Sequence, residues 1–143
     1  MTPMHMVPNK LFIDTNIFVA LKDKNDSTHT RALGMLAQIE KQKIALFTSS
    51  DIIGETLTVM AMKLGKAAAN DFLSGYMISG VEEIFVDEEI HTQSRELFFQ
   101  VVSKNVSFID CSSVVVMRKE HIQTIFTFDR DFKKFDIALL EEA

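Results

Sequence analysis

Cysteine is nearly absent from this chain. One residue in 143, Cys111, carries a thiol, which excludes an intrachain disulfide. With no secretory signal at the N-terminus, the expected compartment is a reducing cytoplasm. Proline and glycine are also scarce, at 2 and 5 residues, and leave few places for long linkers. The length suits one domain, so a single domain over 1–143 is expected, with residues 1–9 ("MTPMHMVPN") as a flexible tail. Positive charge is in deficit: 15 Lys and Arg against 20 Asp and Glu give a net charge of -5. That excludes holding nucleic acid by bulk charge alone, but not an enzyme with a local basic rim. Long apolar runs are missing too. Each is broken by Asp or Lys well short of the roughly 20 residues a spanning helix needs, so no membrane association is expected. No repeat of solenoid period occurs. His5, His29, His91 and His121 have no ligand spacing, so a histidine general base is not indicated.

What is present is a core-forming composition, 47% hydrophobic, arranged as short apolar runs alternating with longer amphipathic ones. Strands are predicted over 10–13, 44–50, 81–87, 106–109 ("VSFI") and 124–128, with "IALL" (137–140) as a short sixth element. Helices are predicted over 16–21, capped by Thr15 or Asn16, and from Asp26 or Ser27 to about Gln42, with Leu33, Leu36, Ala37 and Ile39 inward. Further helices follow from a Ser50 or Asp51 cap to a stop at Gly65, over 66–79, and over 88–104 with Leu97, Phe98, Val101 and Val102 as the apolar side. The β-branched "SSVVVM" is ambiguous by propensity; predicted strands on both sides make it a helix. "DRDFKKF" (129–135) reads as a helical turn or loop. The alternation implies α/β: a three-layer α/β/α sandwich with a central, mainly parallel sheet of about five strands.

Three of these apolar runs end on a carboxylate: Asp14, Asp110 and Asp129. In an open parallel sheet, ligands sit beyond the carboxyl ends of the strands. Glu55 lies about one turn into the helix after the second strand and can lean back to the same edge. Four acids converging on one crevice would repel, and at least one would take up a proton. Divalent cations such as Mg²⁺ or Mn²⁺ resolve that repulsion, and one or two of them could activate water and stabilise the leaving oxygen of a phosphodiester. Each acid also has a plainer reading: the aspartates as helix caps or turn formers, Glu55 as a solvated helix position.

The ordered set "LFIDTNIFVAL", "SSDIIGETLTVM", "FIDCSSVVVM" and "IFTFDRDFKKF" resembles the PIN domain family, and is similar in particular to the VapC-type toxins of prokaryotic toxin–antitoxin systems. The resemblance spans nearly the whole chain. It implies a Mg²⁺- or Mn²⁺-dependent endoribonuclease with Asp14, Glu55, Asp110 and Asp129 as metal-binding catalytic acids. It also implies a homodimer and a small antitoxin protein whose segment fills the active-site groove. Asp131 stands beside Asp129 as a rival fourth ligand; Asp129 is favoured because it directly follows its strand. "CSSVVVM" is more apolar than the family's usual pattern after the third acid.

Around these acids, Thr15 and Asn16 either hold ligand rotamers or only cap a helix. Thr127 orients substrate or ends its strand. Arg130, Lys133 and Lys134, and with them Lys22 and Lys24, either bind RNA phosphates or form a solvated face. Cys111 reads as a small core residue. Three other functions compete: a housekeeping RNA-processing PIN nuclease, a metal-binding scaffold without turnover, and a receiver-like domain phosphorylated on aspartate. A receiver needs a second acid beside Asp14, where Thr15 and Asn16 stand instead.

Overall fold

A computed structural model describes residues 7–141 of the chain. Five strands form one sheet: β1 (Lys10–Ile13), β2 (Ala45–Ser49), β3 (Glu82–Ile84), β4 (Thr124–Phe126) and β5 (Ala138–Leu139). Their order is β3-β2-β1-β4-β5, and every pairing is parallel. Six α-helices connect them: α1 (Thr15–Lys22), α2 (His29–Gln42), α3 (Ser50–Leu64), α4 (Lys66–Met77), α5 (Glu88–Gln100) and α6 (Phe108–Lys119). A 3-10 helix, Arg130–Phe135, precedes β5. The predicted tail falls mostly outside the described residues; its last member, Asn9, accepts a hydrogen bond from Ala45 N–H at 3.2 Å and so is tied to the sheet.

Leu11, Phe12 and Ile13 alternate between the two faces of β1, yet all three are buried. A central strand can be apolar on both sides only if helices cover both faces of the sheet. One helical group packs α1 against α2 and α3, and α3 against α4; a second pairs α5 with α6. The core is filled by Phe12, Ile17, Ile39, Ile52, Ile90, Val114, Ile125, Phe126 and Phe132. Chain order runs outward from β1 through β2 to β3 on one side, then jumps back to β4 and β5 on the other. The switch point therefore lies between β1 and β4, and ligand crevices in open α/β sheets form at that place.

The predicted strand over 106–109 is absent. Val106 is in a turn region, and Phe108 opens α6. The reason is local: Ser107 Oγ accepts from Asp110 N–H at 3.0 Å while Asp110 Oδ2 accepts from Ser107 N–H at 2.9 Å. This reciprocal capping box nucleates a helix where apolarity alone suggested a strand. Asp110 thus lies in the first turn of a helix and does not end a strand. Once started, α6 buries every residue from Cys111 to Met117, so burial outweighs the weak helix propensity of its valines.

Smaller shifts have similar causes. The cap of α1 is Asp14, not Thr15 or Asn16, and the cap of α3 is Ser49, not Ser50 or Asp51. Helix α2 starts at His29 and turns Ala32, Met35 and Ile39 inward, leaving Leu33 exposed. Helix α5 ends at Gln100, and its buried residues are Ile90 and Ser94; Phe98 and Val102 face solvent.

Candidate active site

The site begins where β1 and β4 end. Ile13 pairs with Phe126 in register, and Asp14 N–H continues the ladder to Phe126 O at 3.1 Å. Asp14 and Thr127 therefore emerge side by side, and Thr127 Oγ1 donates to Asp14 Oδ2 at 2.8 Å. The other carboxylate oxygen accepts from Thr15 N–H at 2.8 Å as the helix cap. Asn16 ties the two strand ends together: its amide donates to Thr127 Oγ1 at 2.9 Å and, more weakly, to Asp14 Oδ2 at 3.4 Å, while its oxygen accepts from Phe128 N–H at 3.2 Å. Thr127 Oγ1 also accepts from Asp129 N–H at 3.0 Å.

Glu55 arrives from α3, six residues past the Ser49 cap. Its carboxylate accepts from Thr15 Oγ1 at 2.5 Å, a contact between residues 40 apart in sequence. Asp110 enters from the first turn of α6, and Asp129 from the start of the 3-10 helix, where its Oδ1 accepts from Asp131 N–H at 2.9 Å. The capping reading of the aspartates holds: each uses an oxygen to accept a backbone N–H at a helix start, and that bond fixes the direction of its carboxylate.

The four acids lie close enough to act on one another's charge. The Asp14 pKa is raised to about 7, chiefly by burial and in smaller part by the negative charges of Asp110 and Glu55, against the lowering hydrogen bonds from Thr127 and Thr15. Asp110 is likewise pushed up, mainly by burial, then by Asp129 and Glu55 against its bonds from Ser107. None of the ion pairs among the described residues involves any of the four. Nor, among those residues, do three or more His, Cys, Asp or Glu side chains form a ready-made cage for a metal ion.

The remaining predicted residues divide clearly. Asp131 is drawn into an ion pair with Lys134 at 3.0 Å, and Lys134 also donates to Ser103 Oγ. Lys22 is paired with Asp71. Lys24, Arg130 and Lys133 are exposed. Cys111 is buried in the core, and its thiol is pushed up by burial and by Asp110. One neighbour escaped the sequence reading: Arg31, in the first turn of α2, whose guanidinium lies 4.6 Å from the centre of the Phe128 ring. No spacing signal links two positions so far apart in the chain, so only the fold could bring them together.

Known proteins share this sequence pattern and architecture. A family model described as the PIN domain matches residues 11–138. VapC20 of Mycobacterium tuberculosis, described as a 23S rRNA-specific endonuclease, is 30% identical over 122 residues, covering 85% of this chain and 91% of the relative. A VapC ribonuclease of Archaeoglobus fulgidus is 32% identical over 123 residues, covering 84% of this chain and 77% of the relative. The crystal structure of M. tuberculosis VapC20, described as a Sarcin-Ricin loop cleaving toxin, superposes with a TM-score of 0.79 at 27% identity, covering 90% of this chain and 96% of that one.

Proposed function

The chain belongs to the PIN domain family, and from that premise we propose that it is an endoribonuclease, the toxin of a toxin–antitoxin pair, cutting RNA phosphodiester bonds at a divalent-metal-dependent acidic site. The observation that carries this reading is the grouping at the β1–β4 switch point of Asp14, Glu55, Asp110 and Asp129, which act on one another's charge and have no ion pair among the described residues.

The donor set suits Mg²⁺ or Mn²⁺ in kind. All four ligands would be hard carboxylate oxygens, and their mutual repulsion falls when a cation enters. An open arrangement also suits Mg²⁺, which keeps much of its water and uses few carboxylates plus substrate phosphate oxygens. Asp14, Glu55 and Asp110 would hold the principal ion, and Asp129 would complete a second, weaker position. A cation held there would neutralise phosphate charge and would make water a better nucleophile.

The chain's own contribution is orientation. Thr127 and the Thr15 N–H hold the Asp14 carboxylate from two sides, and Thr15 Oγ1 holds Glu55. Asn16 locks the end of β4 to the start of α1, so Asp129 keeps its place relative to Asp14. Such outer partners matter to metal sites nearly as much as the ligands. Exposed Arg130 and Lys133 beside Asp129 are available to RNA phosphates.

The decisive experiment is cleavage of RNA, with 23S rRNA tested first because a relative's described substrate is that RNA. Cleavage in Mg²⁺ or Mn²⁺ should stop with chelator and with Asp14→Asn. An Asp14→Asn variant as active as the wild type would sink the assignment. The toxin role predicts growth arrest on expression, relieved by co-expression of a small partner protein. Exposed Met62, Met77, Ile78, Phe85, Phe99 and Val102 leave apolar surface for such a partner or for a second copy in a homodimer; light scattering tests the latter.

A further inference from the structure

Helix α5 carries a stripe of rings and charge away from its core side. His91, Arg95 and Phe98 stand at i, i+4 and i+7 and so share one face of the helix, whereas the buried residues are Ile90 and Ser94. The ring of Phe108, the first residue of α6, meets this stripe at 5.3 Å from His91 and 6.1 Å from Phe98. Both contacts are tilted, at 54° and 57°, so neither ring lies flat over that of Phe108. Phe98 keeps 48% of its surface exposed, and Phe108 is half-buried.

Two features tie these rings to the acidic site. Phe108 and Asp110 belong to the same first turn of α6, and the Ser107–Asp110 box that starts the turn fixes both. The box makes no use of the Phe108 ring, so capping does not account for a large aromatic there. Basic side chains also interleave with the rings. Arg95 is exposed on the stripe between His91 and Phe98, and Lys104 is exposed on the loop that joins α5 to α6. Of the α5 acids, Glu88 sits at the helix start, while Glu89 and Glu96 turn to the other side and line a groove with Val115, Arg118 and Lys119.

We propose that Phe98 and Phe108, backed by His91, form a platform on which an unpaired base of the RNA beside the cut stacks, while Arg95 holds the adjoining phosphate. This rests on the RNA-cleaving reading above. Single strands are held by aromatic faces along a basic groove, and every base offers a π-face to such a ring. A guanidinium suits the neighbouring phosphate because it is always charged and can fork two N–H groups onto its oxygens. The occupant is a base and not a protein segment, because the patch continues from the turn that holds Asp110 and alternates flat rings with cations. The contacts of Phe108 with both α5 rings hold the platform in place before RNA arrives, so less side-chain entropy is lost on binding.

The test is steady-state cleavage of a labelled single-stranded oligoribonucleotide in Mn²⁺, with one abasic nucleotide moved stepwise along the strand. In the wild type, one abasic position beside the cut should raise KM about 10-fold, the loss of one base–aromatic stack. Phe98→Ala should raise KM for the intact strand by a similar factor with kcat nearly unchanged, and the abasic position should then add little. Phe98→Leu keeps apolar bulk without a ring and should behave like Phe98→Ala; Phe98→Trp should keep the wild-type KM. Arg95→Ala should lower the salt slope by about 0.7, one single-strand phosphate contact. Wild-type KM in Phe98→Ala and Phe98→Leu, with a change only in Tm or in the mass seen by light scattering, would show that the rings pack α5 on α6 or meet a protein. That result would overturn the inference while leaving the nuclease reading intact. Failure of the wild-type chain to cleave any RNA would remove the nuclease reading and this inference with it.

Discussion

At the scale of single residues, Asp14 carries opposing demands. The folded chain keeps a proton on it up to about pH 7, whereas the unfolded chain releases that proton near 3.8. Between those values folding takes up a proton, so the Asp14 contribution to the stability of the metal-free protein is greatest at the acid end and is lost as pH rises towards 7. Asp110 is raised too and acts in the same direction. Asp26 and Asp71 are lowered, so their contribution is lost only as pH falls below 3.8. At about 1.4 kcal/mol per pKa unit, the Asp14 effect is a few kcal/mol. Melting in EDTA from pH 4.5 to 8 should therefore show a falling Tm, and Asp14→Asn should flatten the fall and melt higher at pH 8 while abolishing cleavage. Thr127→Val removes a partner of Asp14 and should cost roughly 10–100-fold in activity. Asp129→Asn should cost at least as much. Asp131→Asn should leave activity near wild type, because Asp131 is spent on a half-exposed pair with Lys134 worth about 1 kcal/mol or less.

At the scale of elements, helix starts aim the acids. Ser107→Ala breaks the capping box of α6 and should destabilise the protein by about 1 kcal/mol. Because that box also fixes the Asp110 carboxylate, activity should fall by more than the stability loss explains, as thermal melts and kcat measured side by side would reveal. Within the same helix Ser113 Oγ is buried with no hydrogen-bond partner among the described residues. Ser113→Ala deletes a desolvated hydroxyl and should be neutral or slightly stabilising; a loss above about 1 kcal/mol would reveal an unseen partner. Capping chemistry also explains the strand wrongly predicted over 106–109. "VSFI" has strand composition, but Ser107 and Asp110 three residues apart carry a helix-start signal, and the five-stranded sheet needs no further member.

At the scale of the molecule, the sheet order gives the site its location and the cation its consequence. Four carboxyls gathered at one switch point resist ionising together, so a cation binding only the folded state should add stability by mass action, about 2.7 kcal/mol at a hundredfold excess over Kd, and raise Tm accordingly. Mn²⁺ titration followed by differential scanning fluorimetry should show this in the wild type and weakly or not at all in Asp14→Asn. The sheet itself depends on β1 and β4: Phe126→Ala should cost about 3–5 kcal/mol and, because Phe126 O anchors Asp14 N–H, should disorder the site along with the core.

Much of this was legible in the sequence, because its causes are local. Alternating apolar runs specify strands and helices through their periodicity, and a carboxylate ending a buried run stands out because its desolvation must be offset by something. Asp14, Asp110 and Asp129 could be picked out in that way, Glu55 only by its place about one turn into the helix after the second strand and by the family resemblance, and Thr15, Asn16 and Thr127 by adjacency to these acids. What only the tertiary structure decided depends on distance through space. Strand order put Thr127 against Asp14 across 113 residues. The packing of α2 laid Arg31 on Phe128. The Ser107–Asp110 box and the Asp131–Lys134 pair each join residues three apart, so they are local features that the apolar pattern masked. Periodicity reports which face of an element is apolar; it carries no information about which neighbour that face or its rim will meet.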